Sequence, residues 1–404
     1  MRASRFVRVP TPAFVALSCL CLSLGGAGTL GAQAKTSSEY LYLWTAGADS
    51  TKPDYLAVID ARASSPRYGE LLTSAPAPGV ANGPHHTEHE MPADGRLFVN
   101  GFGSGKTFVF DVRDATHPRV DVVFDDVAGM MHPHSFLRLS NGNVLATFQM
   151  QHDSLGVAPG GLAELTPQGR LVRSASANVA GVDRRIRPYS AAIVPALDRI
   201  VTTTTDMDGE APVRAVQIWR LSDLRLLHTI DLPPGPRGDE AAFTAEPRLA
   251  ADGRTVLVST FNCGLYVLRD IDGASPSGQL VASFPERAKT SCAIPVISGH
   301  FYLVTVPAWN AVVTLDIADP LKPREVSRLV LGPNDTPHWI ALEPDRRRVV
   351  ITGYDGLEHR VVMARFNPST GQLALDDRFH DRGSTEAGIR ISGSPHGAVF
   401  GNAP

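Results

Sequence analysis

Cysteine is scarce, with four in 404 residues. Two of them, Cys19 and Cys21, fall inside an N-terminal apolar run, so only Cys263 and Cys292 remain for the rest of the chain. Basic excess is missing too. The formal charge is −3, and no basic stripe interrupts the sequence, which removes the electrostatic footprint of a nucleic-acid binder. The N-terminal run is too short to span a membrane, and no second apolar stretch suggests a span. Nor is there a convincing amphipathic helix, since the 3.6-residue periodicity never sets in. A Gly-x-Ser-x-Gly elbow is absent, leaving a hydrolase of that type unsupported. The glycine-rich stretch GFGSGK (Gly101–Lys106) lies between two strand-like runs and lacks the Walker spacing of a phosphate loop.

The first 34 residues read as an address. Arg2, Arg5 and Arg8 form a basic start, Ala13–Leu24 is apolar, and Ala32-Gln33-Ala34 has the small-x-small pattern of a cleavage site. Residues 1–34 are therefore expected to be a secretory signal peptide and 35–404 a single exported domain, periplasmic or secreted. Loss of the three arginines takes the formal charge from −3 to −6. In an oxidising compartment the surviving pair Cys263 and Cys292 suits a disulfide, with a thiolate metal ligand as the alternative.

What is present is β-signal. Runs such as YLYLW, DYLAVID, RLFVNGF, TFVFDV, AVQIWRL, TVLVSTF, AVVTLDI and RVVITGY are rich in Val, Ile, Thr and aromatics, and 36 glycines and 31 prolines punctuate the chain. Phe110-Asp111-Val112-Arg113-Asp114 leads to His117-Pro118-Arg119, and Leu315-Asp316-Ile317-Ala318-Asp319 leads to Lys322-Pro323-Arg324 with the same spacing. This weak repeat divides the domain into about seven four-stranded units, the size of propeller blades. The fold class is thus all-β, a seven-bladed β-propeller around a central channel. The blades run from Glu39 to Ala75, His85 to Phe124, Met131 to Ser174, Arg187 to Leu232, Ala242 to Phe284, Thr290 to Leu331 and Pro337 to Phe379. The tail from Gly388 to Pro404 returns toward the axis.

Histidines sit where these units begin: His85, His86 and His89 in GPHHTEHEM, His132 and His134 in MMHPHSFL, His338 in TPHWI and His396 in SPHGAVF. In a propeller the innermost strand of each blade starts on one face of the channel. His86, His134, Glu246, Cys292 and His338 should approach the same end of the axis, with His396 closing the ring. A histidine at a strand start often does no more than satisfy a backbone carbonyl. Convergence of several is harder to explain by packing, and neutral imidazoles suit copper, zinc or iron. The first choice of ligands is His86, His134 and His396, with His85, His132 and His338 as further candidates. Glu246 is the carboxylate that would orient a bound ligand or relay a proton.

Several segments resemble, in order, the selenium-binding protein and methanethiol oxidase family. LYLWTAGADSTKPDYLAVIDARASSPRYGELL is similar to its first blade, and GPHHTEHE takes the place of its His-His-Ser-Gly-Trp-Asn stretch. His132 and His134, followed by LSNGNVLATF and GGLAEL, resemble its paired-histidine segment, with different spacing between the histidines. TAEPRLAADG resembles its Leu-Glu-x-Arg-Phe stretch and maps the acidic residue onto Glu246. SPHGAVFGNA resembles its closing segment and maps that histidine onto His396. The resemblance implies a seven-bladed propeller. It also implies the activity of some bacterial relatives, exported copper-dependent oxidases that turn methanethiol into formaldehyde, hydrogen sulfide and hydrogen peroxide. The family's Cys-Ser-Ser-Cys stretch is absent here, so selenium or thiol binding through that cysteine does not carry over.

Together these features lead to an exported, metal-dependent oxidase acting on a small sulfur compound, a thiol for example, with copper as the cofactor and iron or zinc as other candidates. One alternative is a non-haem iron oxygenase like the carotenoid-cleaving propellers, which also place four histidines on the axis. Another is a non-catalytic secreted propeller that binds a metal or ligand. N-terminal sequencing of the exported protein is expected to begin close to Lys35; an intact Met1 on the functional protein would refute export.

Overall fold

The computed structural model describes residues 37–402 apart from 208, 210, 286–291, 293 and 354–358; the expected signal peptide lies outside the described residues. Seven antiparallel sheets of four strands each account for almost all regular structure, and no α-helix occurs among the described residues. The architecture is a seven-bladed β-propeller. The blade limits read from the turn signals hold within a few residues in every blade but the first, except that the expected start of blade six, Thr290, lies outside the described residues. In the first blade the tail does more than return toward the axis: Ser394–Gly401 is the innermost strand of that blade and pairs with Tyr40–Ala46. The ring is closed by hydrogen bonding between the two ends of the domain, which leaves no open junction between first and last blades.

Burial across a blade follows from position. Second strands are covered on both faces, as in Tyr40–Ala46, whereas fourth strands such as Arg119–Phe124 alternate exposed and half-buried residues. Apolar side chains then pack between blades, not within them. Trp44 of blade one meets Phe108 and Phe110 of blade two at ring-centroid distances of 5.7 and 5.6 Å. Similar clusters join each neighbouring pair around the circle, so the core is a ring of inter-blade layers.

The inner strands carry the feature that shapes the channel. In blade two, Pro84 faces Gly101 and Thr87 faces Val99, so three steps on the inner strand oppose two on its neighbour. The same one-residue excess recurs between Pro133 and Phe136, Pro188 and Ala191, Thr244 and Pro247, Pro337 and Trp339, and Pro395 and Ala398. Such bulges re-aim side chains and leave backbone groups outside the ladder. Side chains on the second strands satisfy those groups. Asn100 accepts the His86 N–H (2.5 Å) and donates to the Pro133 carbonyl of the next blade (3.0 Å). Thr147 accepts the Ser135 N–H (3.0 Å) and donates to the Tyr189 carbonyl (2.7 Å). Thr203 bridges the Ser190 N–H and the Ala245 carbonyl in the same way. Thr305 and Thr352 donate to the carbonyls of His338 and His396 at 3.2 and 2.6 Å.

Cys263, in the turn after the second strand of blade five, is disulfide-bonded to Cys292, with Cα atoms 5.0 Å apart. Cys292 is not on an inner strand, as the sequence suggested, but ahead of one that begins at Val296. Its sulfur is committed to the disulfide, so Cys292 supplies no thiolate ligand.

Replacing Thr147 by Val conserves volume but strands a buried N–H and a buried carbonyl. It is expected to lower unfolding free energy by about 1–3 kcal/mol, read by denaturant titration.

Candidate metal centre

The bulges explain why histidines converge. Neighbouring residues in a regular strand point to opposite faces. The extra residue in blade two suspends that alternation, and the rings of His85 and His86 stack 4.4 Å apart on the same side. His85 also stacks on His396 of blade one at 4.3 Å. His134 of blade three stands edge-on to His86 at 4.2 Å and to His85 at 4.8 Å, while His338 of blade seven lies 4.8 Å from His396. His85, His86, His134 and His396 are buried, and His338 is half-buried.

These five imidazoles form two triads with His85 in common. One is His85, His86 and His134; the other is His85, His338 and His396. In each, the nitrogen donors lie within 4.8 Å of one another. The first-choice set of His86, His134 and His396 is thus divided between the triads. His132 joins neither. Its backbone is left-handed (φ 55°), which breaks the alternation that would place it beside His134, and its ring lies against Phe102 at 5.6 Å.

The rings are held from behind. Ser135 Oγ is 3.2 Å from Nδ1 of both His86 and His134, and a hydroxyl can accept from one and donate to the other. His396 Nδ1 donates to the His85 carbonyl at 2.6 Å, leaving Nε2 with the lone pair. Burial, reinforced by the neighbouring imidazoles, holds His85, His86, His134 and His396 well below the usual histidine range, and burial alone lowers His338 to about 4. All five are neutral at pH 7, the state in which a lone pair can bind a metal. His134 Nε2 is buried and makes no hydrogen bond. A buried nitrogen without a hydrogen bond fits the role of a ligand to a cation.

Glu246, at the bulge of blade five, lies behind His86 with Oε1 3.9 Å from its Nδ1. Oε2 accepts hydrogen bonds from Ser190 (2.7 Å) and Arg248 (2.6 Å), whereas Oε1 has no hydrogen-bond partner. Burial raises this carboxyl, and Arg248 opposes the rise. Arg248 also donates to His89 Nε2 (3.1 Å), and His89 lies flat on Trp339 at 4.8 Å. Beyond His89 and Arg248 opens a cavity of about 900 Å³, lined by the ends of the inner strands from all seven blades. That size suits a small molecule.

Sequence reading missed Tyr189, Ser135, Arg248 and the backing role of Asn100. Tyr189 packs its ring 3.7 Å from His134 and its hydroxyl 3.4 Å from His86 Nε2. A signal was available: Pro84-His85, Pro133-His134, Pro188-Tyr189, Pro337-His338 and Pro395-His396 repeat proline before an axial aromatic. Proline lacks an N–H and is tolerated there because one edge of each inner strand faces the channel.

No protein-family model matches the chain. Over 126 residues it is 31% identical to a methanethiol oxidase of Ruegeria pomeroyi, covering 29% of this chain and 28% of the oxidase. It is 27% identical over 149 residues to selenium-binding protein 1 of Arabidopsis thaliana, covering 31% and 30%. The matched segments thus span less than a third of these curated relatives. A hypothetical selenium-binding protein from Sulfolobus tokodaii superposes with a TM-score of 0.72 at 16% identity, covering 90% of this chain and 94% of the other. The chain is distantly similar to the selenium-binding and methanethiol oxidase proteins. A periplasmic gluconolactonase from Pseudomonas aeruginosa, with a TM-score of 0.63 and 16% identity over 90% of this chain and 99% of its own, shares the fold alone. Propellers of this size therefore carry different activities, and the axial side chains must decide between them.

The depressed imidazoles set a pH dependence for the metal-free protein. Below about pH 6.5 the unfolded chain takes up protons that the folded chain refuses, so stability falls as pH falls. Glu88, raised to about 7 by burial, and Glu246 act in the opposite direction, but they are outnumbered by the five lowered histidines and His89. The denaturation midpoint is expected to drop between pH 6.5 and 4, and a midpoint that rises over that window would contradict the assignment.

Proposed function

We propose that this chain is an exported, metal-dependent oxidase, with copper as the favoured ion, acting on a small sulfur compound such as a thiol. The observation that carries the proposal is the meeting of five neutral imidazoles from four blades, four of them buried and one of these, His134, with an Nε2 that makes no hydrogen bond. Nitrogen-rich donor sets suit copper above the other divalent first-row ions, with zinc and iron next in chemical fit. The similarity to a methanethiol oxidase supports oxidation of a thiol. The N-terminal address and the disulfide support an oxidising compartment.

The residues present fit such an ion. Imidazoles from the set His85, His86, His134, His338 and His396 would hold it, and when bound it would supply one-electron transfer between a sulfur substrate and an oxidant. The rest belongs to the protein. Ser135 and the His85 carbonyl fix the ring orientations, as the partners behind metal-binding histidines do. Burial keeps bulk water away from the imidazoles. The cavity beyond His89 and Arg248 gives a small molecule room to approach. Glu246, held through Oε2 by Arg248 and Ser190 with Oε1 3.9 Å from His86 Nδ1, would take the proton that a thiol releases.

Elemental analysis of the purified exported protein is expected to find stoichiometric copper. Glu246→Gln should retain the metal while lowering turnover of methanethiol by about 10²-fold or more. Unchanged copper content in both His134→Ala and His396→Ala would remove the site from the proposal.

A further inference from the structure

The five axial imidazoles are more than one ion can use. First-row metals hold imidazole nitrogen at about 2.0–2.1 Å, so two donors on one ion lie no more than about 4.2 Å apart. Among the described residues, no group whose donors all lie within 4.8 Å contains both His86 and His396, and the centroids of those two rings are 5.9 Å apart. The histidines close up as two threes instead, and only His85 belongs to both.

The two halves are also anchored separately. His86 and His134 turn on one hydroxyl, Ser135 Oγ, and belong to blades two and three, whose bulges Asn100 ties together. His396 is held through its Nδ1 by the His85 carbonyl, and its own carbonyl is held by Thr352 of blade seven. The carbonyl of His338 is held by Thr305 of blade six. Drawing all five rings onto one centre would break these contacts, whereas a small closure within each triad would not. The surroundings differ as well. The first triad has the Tyr189 hydroxyl 3.4 Å from His86 Nε2 and Glu246 Oε1 at 3.9 Å from Nδ1. The second includes half-buried His338, the member nearest solvent.

We propose that the centre binds two first-row transition-metal ions, one on His86 and His134 and the other on His338 and His396, with His85 between them. This rests on the reading that the axial histidines bind metal at all.

The test loads the full mature chain, stripped of metal, with copper(II), removes excess by dialysis, and counts the retained ions by elemental analysis alongside electron paramagnetic resonance. Two ions per chain are expected, with a spin intensity well below that of two isolated copper(II) ions because neighbouring spins couple. His134→Ala and His338→Ala are each expected to retain one ion and to restore an isolated copper(II) signal. One ion in the wild-type protein, lost in both variants, would overturn the inference while leaving the metal-dependent function standing. Retention of less than one ion by the wild-type protein would overturn the proposed function together with this inference. The wild-type count alone decides between these outcomes if either variant fails to fold.

Discussion

The axial site depends on one recurring backbone event, the extra residue in the inner strand of six of the seven blades. Without it, strict alternation would send His85 toward the channel and His86 into the sheet, or the reverse. A bulge is costly on its own, because it leaves an N–H and a carbonyl outside the ladder in a buried place. Asn100, Thr147 and Thr203 remove that cost, each serving the bulge of its own blade with one end and that of the next blade with the other. The hydrogen bonds that permit the irregular geometry are thus the ones that tie adjacent blades together at the axis.

That arrangement separates stability from chemistry. Cohesion comes from the apolar layers between blades, such as Trp44 on Phe108 and Phe110. The channel can then carry groups that add nothing to folding. Burying imidazoles that must stay neutral works against folding wherever the unfolded chain would protonate them, and a bound cation would reverse the sign by favouring the same neutral form. Glu246 belongs to the same balance. Arg248 and Ser190 hold one of its oxygens and leave the other facing His86.

Much of this was legible before any coordinates. Blade limits followed from turn residues and β-rich runs, because both are local. The axial position of His85, His86, His134, His338 and His396 followed from their place at the start of each unit. What local pattern does not carry is register. Whether His86 and His396 share one ion depends on how a bulge in blade two meets the closing strand Ser394–Gly401, and these are joined only through tertiary pairing. His132 failed for the same reason, since a left-handed backbone angle overrode its two-residue spacing from His134. Arg248 and Tyr189 escaped notice because neither belongs to a histidine cluster, although Pro188-Tyr189 repeats the Pro-His pattern of four other blades.

X-ray absorption at the copper edge of the loaded mature protein tests the central claim, that bulge-directed imidazoles form the metal centre, most directly. The account predicts a first shell of nitrogen at about 2.0 Å with the outer-shell scattering of several imidazole rings. A first shell dominated by sulfur, or by oxygen with no imidazole scattering, would contradict it.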